Sequence, residues 1–387
     1  MRASVGVGCV VALLQAATMA QPPVQPGDPL SGLTPTEFEA FRFGLEDFLE
    51  VETAEEGLGP AYNGTSCAEC HSIPAIGRIA SVATVRAGMR LADGRFEDFD
   101  RAPGSLFQLF SIPTHGCQSV IPAEATVIAR LIPIPLFGTG LVEAIPDDAI
   151  RAGEDPADRN GDGVSGRAAI IIDRASGETR FGWKAQVATL LEFSGDAYRN
   201  EMGITNDLFP EELTFHLTDE QRRECDPIVE PEDISEPGTG LRGIDNFESF
   251  MRFLVQPTRG LLTPEALGGD EVFRAIGCAS CHVPTLMTGP HENPLFDRRS
   301  VPLFSDLLLH DIGTGDGIRQ AAADPGEIRT PALWGLRFRR PLLHDGRAAT
   351  IMDAVLRHGG EARPTMDRVL GIPRRRVEEL QRFLESL

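Results

Sequence analysis

At 387 residues the chain is long enough for two or three small domains, each with a core. Its formal net charge of -21 argues against nucleic acid or an anionic membrane surface as a partner. It suits instead a partner that presents a basic face. Of the 36 basic residues only Lys184 is lysine.

The chain opens with Arg2, an apolar run from Val5 to Ala17, and Thr18-Met19-Ala20 before Gln21. This pattern predicts an export signal over residues 1–20, too short to persist as a membrane helix, and so a protein delivered to the periplasm. No later segment is apolar enough to span a bilayer. Gln21 to Gly32 reads as a linker rich in proline and glycine. Thr34-Pro35-Thr36-Glu37 then predicts a helix start, with Thr34 as N-cap and Glu37 bonding back to it. Phe38, Phe41, Leu45, Phe48 and Leu49 follow as one apolar face, and Gly57-Leu58-Gly59-Pro60 breaks the pattern.

The next stretch, Ser66-Cys67-Ala68-Glu69-Cys70-His71, has a later copy in Gly277-Cys278-Ala279-Ser280-Cys281-His282. Each reads C-x-x-C-H, the attachment signature of c-type haem: two thiols add to one porphyrin edge, and the histidine becomes the proximal iron ligand. A lone C-x-x-C also fits a zinc half-site or a redox-active dithiol. The histidine in both copies and the export signal favour two covalently bound haems. Of seven cysteines, Cys9 leaves with the signal and haem takes four. Cys117 and Cys225 remain, most simply as one disulfide in an oxidising compartment. The competing reading makes Cys117 a thiolate haem ligand beside His115.

Between the motifs, Asp158-Arg159-Asn160-Gly161-Asp162-Gly163 matches the first half of a calcium loop, with Asp158, Asn160 and Asp162 as oxygen donors. The twelfth position is Ala169 rather than glutamate, which excludes a full EF-hand and leaves a solvated Asn/Gly turn as the alternative. Ala168 to Asp173 with Thr179 to Trp183 predicts a short hairpin; the remaining middle of the chain reads as loops and short helices. A helix leads into the second motif with Phe273 and Ile276 inward. The C-terminal segment from Pro373 places Val377, Leu380, Phe383, Leu384 and Leu387 on one face, so that the two helices pack together as a cytochrome c module requires. The expected fold is mainly α, with two cytochrome c-like haem domains, long loops and little sheet. The domains are residues 21–256, with inserted loops, and 257–387.

The ordered blocks GLGPAYNGTSCAECH, GTGLVEAIP, DRNGDGVSGR, RFGWKA, EMGITN, SDLLLHDIG, RTPALWG and LHDGRAATIMDAVLRHGGEA resemble the di-haem oxidoreductase family across nearly the whole chain after the signal. More distantly the chain is similar to the bacterial di-haem cytochrome c peroxidases and the methylamine dehydrogenase maturation enzyme. The resemblance implies that electrons from a small redox protein or other donor enter at the C-terminal haem, and that peroxide or another oxidant is reduced at the N-terminal one. His358 falls where the peroxidases carry the distal methionine of the electron-entry haem, which implies a bis-histidine iron of lower potential. Met352 is the rival ligand. His115-Gly116 resembles the pair that closes the peroxidatic haem in resting peroxidases, against a plain loop histidine. Trp183 resembles the tryptophan between the haems, against an aromatic buried for packing. Glu201 resembles the distal acid that moves a proton between the peroxide oxygens. Phe193 stands where those peroxidases place a glutamine, a departure that weighs against efficient peroxide cleavage. His310 and Arg329 resemble residues near the propionates of the second haem. Two other classes stay open: oxidation of a partner protein's side chain, and an electron carrier or redox sensor with both irons six-coordinate.

Overall fold

The computed structural model describes residues 25–72, 75–77, 82–99, 106–113, 117–170, 178–213, 217–225, 233–235 and 240–387. The expected export signal and His115 lie outside the described residues.

Two pairs of crossed helices carry the architecture, one beside each C-x-x-C-H segment. The helix Pro35–Leu49 begins with the expected capping box: Thr34 Oγ accepts the Glu37 N–H at 3.3 Å, and Glu37 Oε2 accepts the Thr34 N–H at 2.7 Å. It crosses the helix Gly243–Phe253 at Gly44, where an added Cβ would stand 2.1 Å from the Asn246 carbonyl oxygen. Only glycine allows that approach. Phe41 and Phe48 pack on Phe250 with ring centroids 5.3 and 4.7 Å apart. Phe38 and Leu49, expected on the same face, are instead 46% and 45% exposed. The inward stripe is Phe41, Gly44, Leu45 and Phe48, at spacings of three and four, and it is narrower than the run of apolar residues.

The second pair repeats the device. The helix Pro264–Ala275 meets the C-terminal helix Arg374–Glu385 at Gly269, whose added Cβ would lie 2.0 Å from the Glu379 carbonyl oxygen. Phe273 packs on Phe383 at 5.1 Å. Leu380, Phe383, Leu384 and Leu387 are buried as expected, while Val377 is only partly covered.

The middle of the chain departs from the loops and short helices read there. Thr84–Arg90 forms the central strand of a four-stranded antiparallel sheet. Val127–Leu131 lies along one edge, with Thr84 opposite Leu131 and Gly88 opposite Val127; Phe96–Asp98 and Leu106–Phe107 share the other. Pairing across some forty residues has no local signature, which is why the strand was not legible. Ala169–Ile170 pairs with Glu178–Thr179, so the expected hairpin forms only in part: its second arm ends at Thr179, and Phe181 bridges Val187 instead. Helices still outweigh sheet, so the described chain is mainly α. None of its helices is long and apolar enough to cross a membrane.

Two large apolar clusters result. The smaller surrounds the second helix pair, from Val272 to Leu387. The larger surrounds the first and also takes in Phe296, Val301, Leu303, Leu307, Leu308 and Trp334 from late in the chain. Cys117 and Cys225 are joined by a disulfide with Cα atoms 6.1 Å apart, which removes Cys117 as a thiolate ligand.

Gly269→Ala should lower the stability of the cofactor-loaded protein by about 1–3 kcal/mol, because a backbone carbonyl cannot yield as a side-chain end can. Gly371→Ala is the control, since nothing lies within 4 Å of the added carbon. Equal thermal midpoints for the two variants would show that the helices do not touch at Gly269.

Candidate functional site: two cavities with a common wall

The first cavity encloses about 1210 Å³ of empty space, mouth included, and Cys67, Cys70 and His71 line it. The cysteines sit on a one-turn helix, Cys67–Cys70, whose N-cap Ser66 accepts the Ala68 N–H at 3.3 Å. Glu201 lines the same cavity, in a π-helical turn, Tyr198–Met202, that continues the helix Leu190–Ala197. Such widened turns recur at functional sites because they turn one side chain out of the regular helical row. The glycine-rich loop ahead of the first motif docks here. Gly59 N–H donates to the Met202 carbonyl at 3.0 Å, Asn63 N–H to the Glu201 carbonyl at 2.6 Å, and Asn63 Nδ2 to Glu201 Oε2 at 2.7 Å. Gly203, at φ 71°, ends the turn, and an added Cβ would stand 2.3 Å from the Ala61 carbonyl oxygen. Burial pushes the Glu201 carboxyl up to about 7 against the lowering effects of the Asn63 amide and the Arg86 charge; nearby Asp196 raises it further. A carboxyl poised there can both give and take a proton near neutral pH.

The second cavity encloses about 1300 Å³ on the same measure, and Cys278, Cys281 and His282 line it. His282 Nδ1 lies 3.1 Å from the Phe304 carbonyl oxygen, and His358 Nδ1 lies 2.8 Å from that of Ala354. Each ring nitrogen is held by a backbone acceptor, which leaves Nε2 as the lone-pair nitrogen of a neutral imidazole. Burial, and then the His358 charge, lower His282 to about 4, and burial lowers His358 as well. His358 lines the cavity and Met352 does not, while Met366 lines it from the smaller apolar cluster.

The groups around both cavities fit a porphyrin. Burial pushes the Cys70 and Cys278 thiols up to about 12 and raises Cys67 and Cys281 too. A redox dithiol needs the opposite shift. Zinc fits no better: among the described residues the one three-ligand cluster is Cys281, Asp306 and His310, which omits Cys278 and His282. Arg329 and Arg339 line the second cavity. Burial, and then the charge of Arg339, lower Arg329 to about 10. Two buried guanidinium groups that repel one another suit anionic carboxylates such as haem propionates. The Nε2 of His344, buried on the same cavity, has no hydrogen-bond partner.

His310 lines the second cavity beside Arg329. Its Nε2 lies 2.9 Å from Asp306 Oδ2 and its Nδ1 2.9 Å from Glu361 Oε2, so neither nitrogen remains for a propionate. Burial alone would lower it, but the bonds to Asp306, Cys281 and Glu361 raise it to about 12.

Trp183 lines both cavities. Its Nε1 donates to the Ile132 carbonyl at 2.7 Å, the Ile132 N–H donates to the His344 carbonyl at 2.8 Å, and the Arg329 N–H donates to the Trp183 carbonyl at 2.8 Å. The sheet of the first cavity and the loops of the second are thereby tied through one indole. Neighbouring Lys184 is fully buried. Its Nζ pairs with Asp316 Oδ1 at 2.8 Å and donates to the Glu327 carbonyl at 2.7 Å, which pins the loop that brings Gln320 into the first cavity.

Gln320, Arg86 and Arg339 were not found from sequence. Arg86 comes from the central strand, Gln320 from a loop far along the chain, and no local motif marks any of the three. Phe193 lines the first cavity as expected. The loop Asp158 to Gly163 is exposed and bonds within itself: Asp158 Oδ1 accepts the Gly163 N–H at 3.1 Å, and Asn160 Oδ1 accepts the Asp162 N–H at 2.9 Å.

Paired cavities of this kind, each with two thiols and a histidine, define a protein built to hold two haems. Residues 114–387 match the family described as "Di-haem oxidoreductase, putative peroxidase", and the chain belongs to that family. It is 30% identical over 126 residues to methylamine utilization protein MauG of Methylorubrum extorquens, a match covering 29% of this chain and 31% of that relative's length. Among solved structures it is similar to hydrazine synthase of Kuenenia stuttgartiensis, at 15% identity and TM-score 0.45, covering 99% of this chain and all of that one. It is also similar to the diheme peroxidase BthA of Burkholderia thailandensis, at 16% identity and TM-score 0.45, covering 94% and 88%.

Because the folded-state value of Glu201 is raised, its stabilising contribution is complete below the ordinary value of 4.5 and is lost as pH rises through about 7. Glu201→Gln removes that loss. Its stability relative to the parent protein should grow across this window, by about 3 kcal/mol at most. Denaturant titrations at a series of pH values read the difference, and a flat difference would show that Glu201 ionises as an ordinary surface carboxylate does.

Proposed function

We propose that this protein is an exported, periplasmic di-haem enzyme that reduces peroxide in its first cavity with electrons received at its second. Residues 21–256 would form the peroxide-handling module and 257–387 the electron-entry module. Cys67 and Cys70 would hold one haem and Cys278 and Cys281 the other, as thioethers, with His71 and His282 as proximal ligands and His358 as the distal ligand of the second. When bound, the haems supply one-electron chemistry at iron.

The observation that carries the reading is the asymmetry of the two cavities. The first presents a carboxyl, Glu201, that exchanges its proton near neutral pH. The second presents two neutral imidazoles, His282 and His358, and suits an iron closed on both sides. Glu201 would take the proton from the inner oxygen of peroxide and deliver it to the outer one, so that water leaves. Asn63 orients that carboxyl through Oε2, and Arg86 adds positive charge to the same cavity. Trp183, in the wall of both cavities, puts an oxidisable ring on the path between them.

Peroxide titration of the half-reduced holoprotein tests this. High-spin ferric signal should appear at the first haem and peroxide should be consumed, and Glu201→Gln should slow consumption by about 10²- to 10⁴-fold. No high-spin iron and no peroxide consumed would sink the proposal. His358→Met should raise the second haem's potential by roughly 100 mV. An unchanged potential in a redox titration removes His358 as a ligand.

A further inference from the structure

Asp306, His310 and Glu361 form a cluster in the wall of the second cavity, which His310 lines, and nothing in the proposed chemistry uses it. We infer that it is a brace that sets the distal histidine against the proximal one, with His310 as its positioning residue. The inference rests on the reading of His358 as distal ligand.

One end of the brace grips the proximal side. The Asp306 N–H donates to the Cys281 carbonyl at 2.9 Å, and His310 Nδ1 lies 3.7 Å from Cys281 Sγ. The segment 304–310 is thus fixed to the motif, and its first residue, Phe304, supplies the carbonyl that orients His282. The other end grips the distal side. Glu361 Oε1 accepts the Asp311 N–H at 2.9 Å, the Glu361 N–H donates to the Asp311 carbonyl at 2.9 Å, and the Gly359 N–H donates to the Ile312 carbonyl at 2.7 Å. The residue next to Gly359 is His358. Gly360, at φ 48°, lets the two backbones touch, since an added Cβ would stand 2.2 Å from the Asp311 carbonyl oxygen.

His310 joins the ends. It is 2% exposed and bridges Asp306 and Glu361 at 2.9 Å on each side. Charged hydrogen bonds of this kind are short, directional and shielded from water, so they hold position more firmly than neutral ones. Glu361 Oε2 also accepts the Ser165 N–H at 2.8 Å, which draws in the loop whose Val164 lines the cavity. The His358 ring, by contrast, is bonded to the Ala354 carbonyl of the helix Ile351–Leu356, which ends just before it. Its distance from His282 therefore depends on the tether at 359–361.

The test uses the protein with both haems in place, and Glu361→Ala, which cuts one side of the bridge at a partly exposed position. Part of the second haem's low-spin EPR signal should convert to high-spin, added imidazole should restore it, and carbon monoxide should bind the reduced second haem about tenfold faster or more. The first haem's signals should not move. A variant with the parent's low-spin signal and carbon monoxide rate overturns the brace. If Glu361→Ala does not accumulate with both haems, His310→Gln is read in the same way. His358→Ala separates the two ideas: if it loses the low-spin signal while the brace variants keep it, the brace alone is wrong, and if it keeps the signal, the ligand reading fails.

Discussion

The hydrogen bond from the Trp183 indole to the Ile132 carbonyl, 2.7 Å long and buried, is the contact around which both cavities are arranged. Ile132 follows the strand Val127–Leu131, whose partner strand carries Arg86 to the first cavity, and its own N–H donates to the His344 carbonyl of the second. The Trp183 carbonyl accepts from Arg329. One side chain and two peptide groups thus hold a sheet from one half of the chain against loops from the other. A buried N–H has to be satisfied, so neither half can shift without leaving the indole unpaired. That fixed wall is what a short path between two redox centres requires.

The two cavities differ in what buried charge does around them. Near the first, Glu201 is desolvated with one amide partner, and its proton becomes exchangeable near neutral pH. Near the second, His310 is desolvated with two carboxylate partners and is held as a cation. Desolvation with few partners suits proton transfer, whereas desolvation with matched partners suits fixed geometry. Lys184 belongs to the second kind. Its pairing with Asp316 serves the first cavity, through the loop that carries Gln320.

The two glycine crossings show how far local pattern reaches. The capping box at Thr34, the helix into the second motif and the inward face of the C-terminal helix follow from spacing within one or two turns, and the structure contains them. The exposure of Phe38 and Leu49 was not legible, because the width of a buried stripe is set by the partner helix and not by the apolar run itself. The four-stranded sheet was missed for a related reason: short strands gain their stability from neighbours distant in the chain.

By itself the sequence determined what can be written within a few consecutive residues: two C-x-x-C-H segments, the helices beside them and the family resemblance that singled out Glu201, Trp183 and His358. Only the tertiary structure decided which groups share a cavity. It put Arg86 and Gln320 with Glu201 and Arg339 with Arg329, and it made His310 a bridge between Asp306 and Glu361. The physical reason is that a motif such as C-x-x-C-H is local and legible from spacing. Burial, charge pairing and the approach of one backbone to another depend on segments that meet only when the chain has folded.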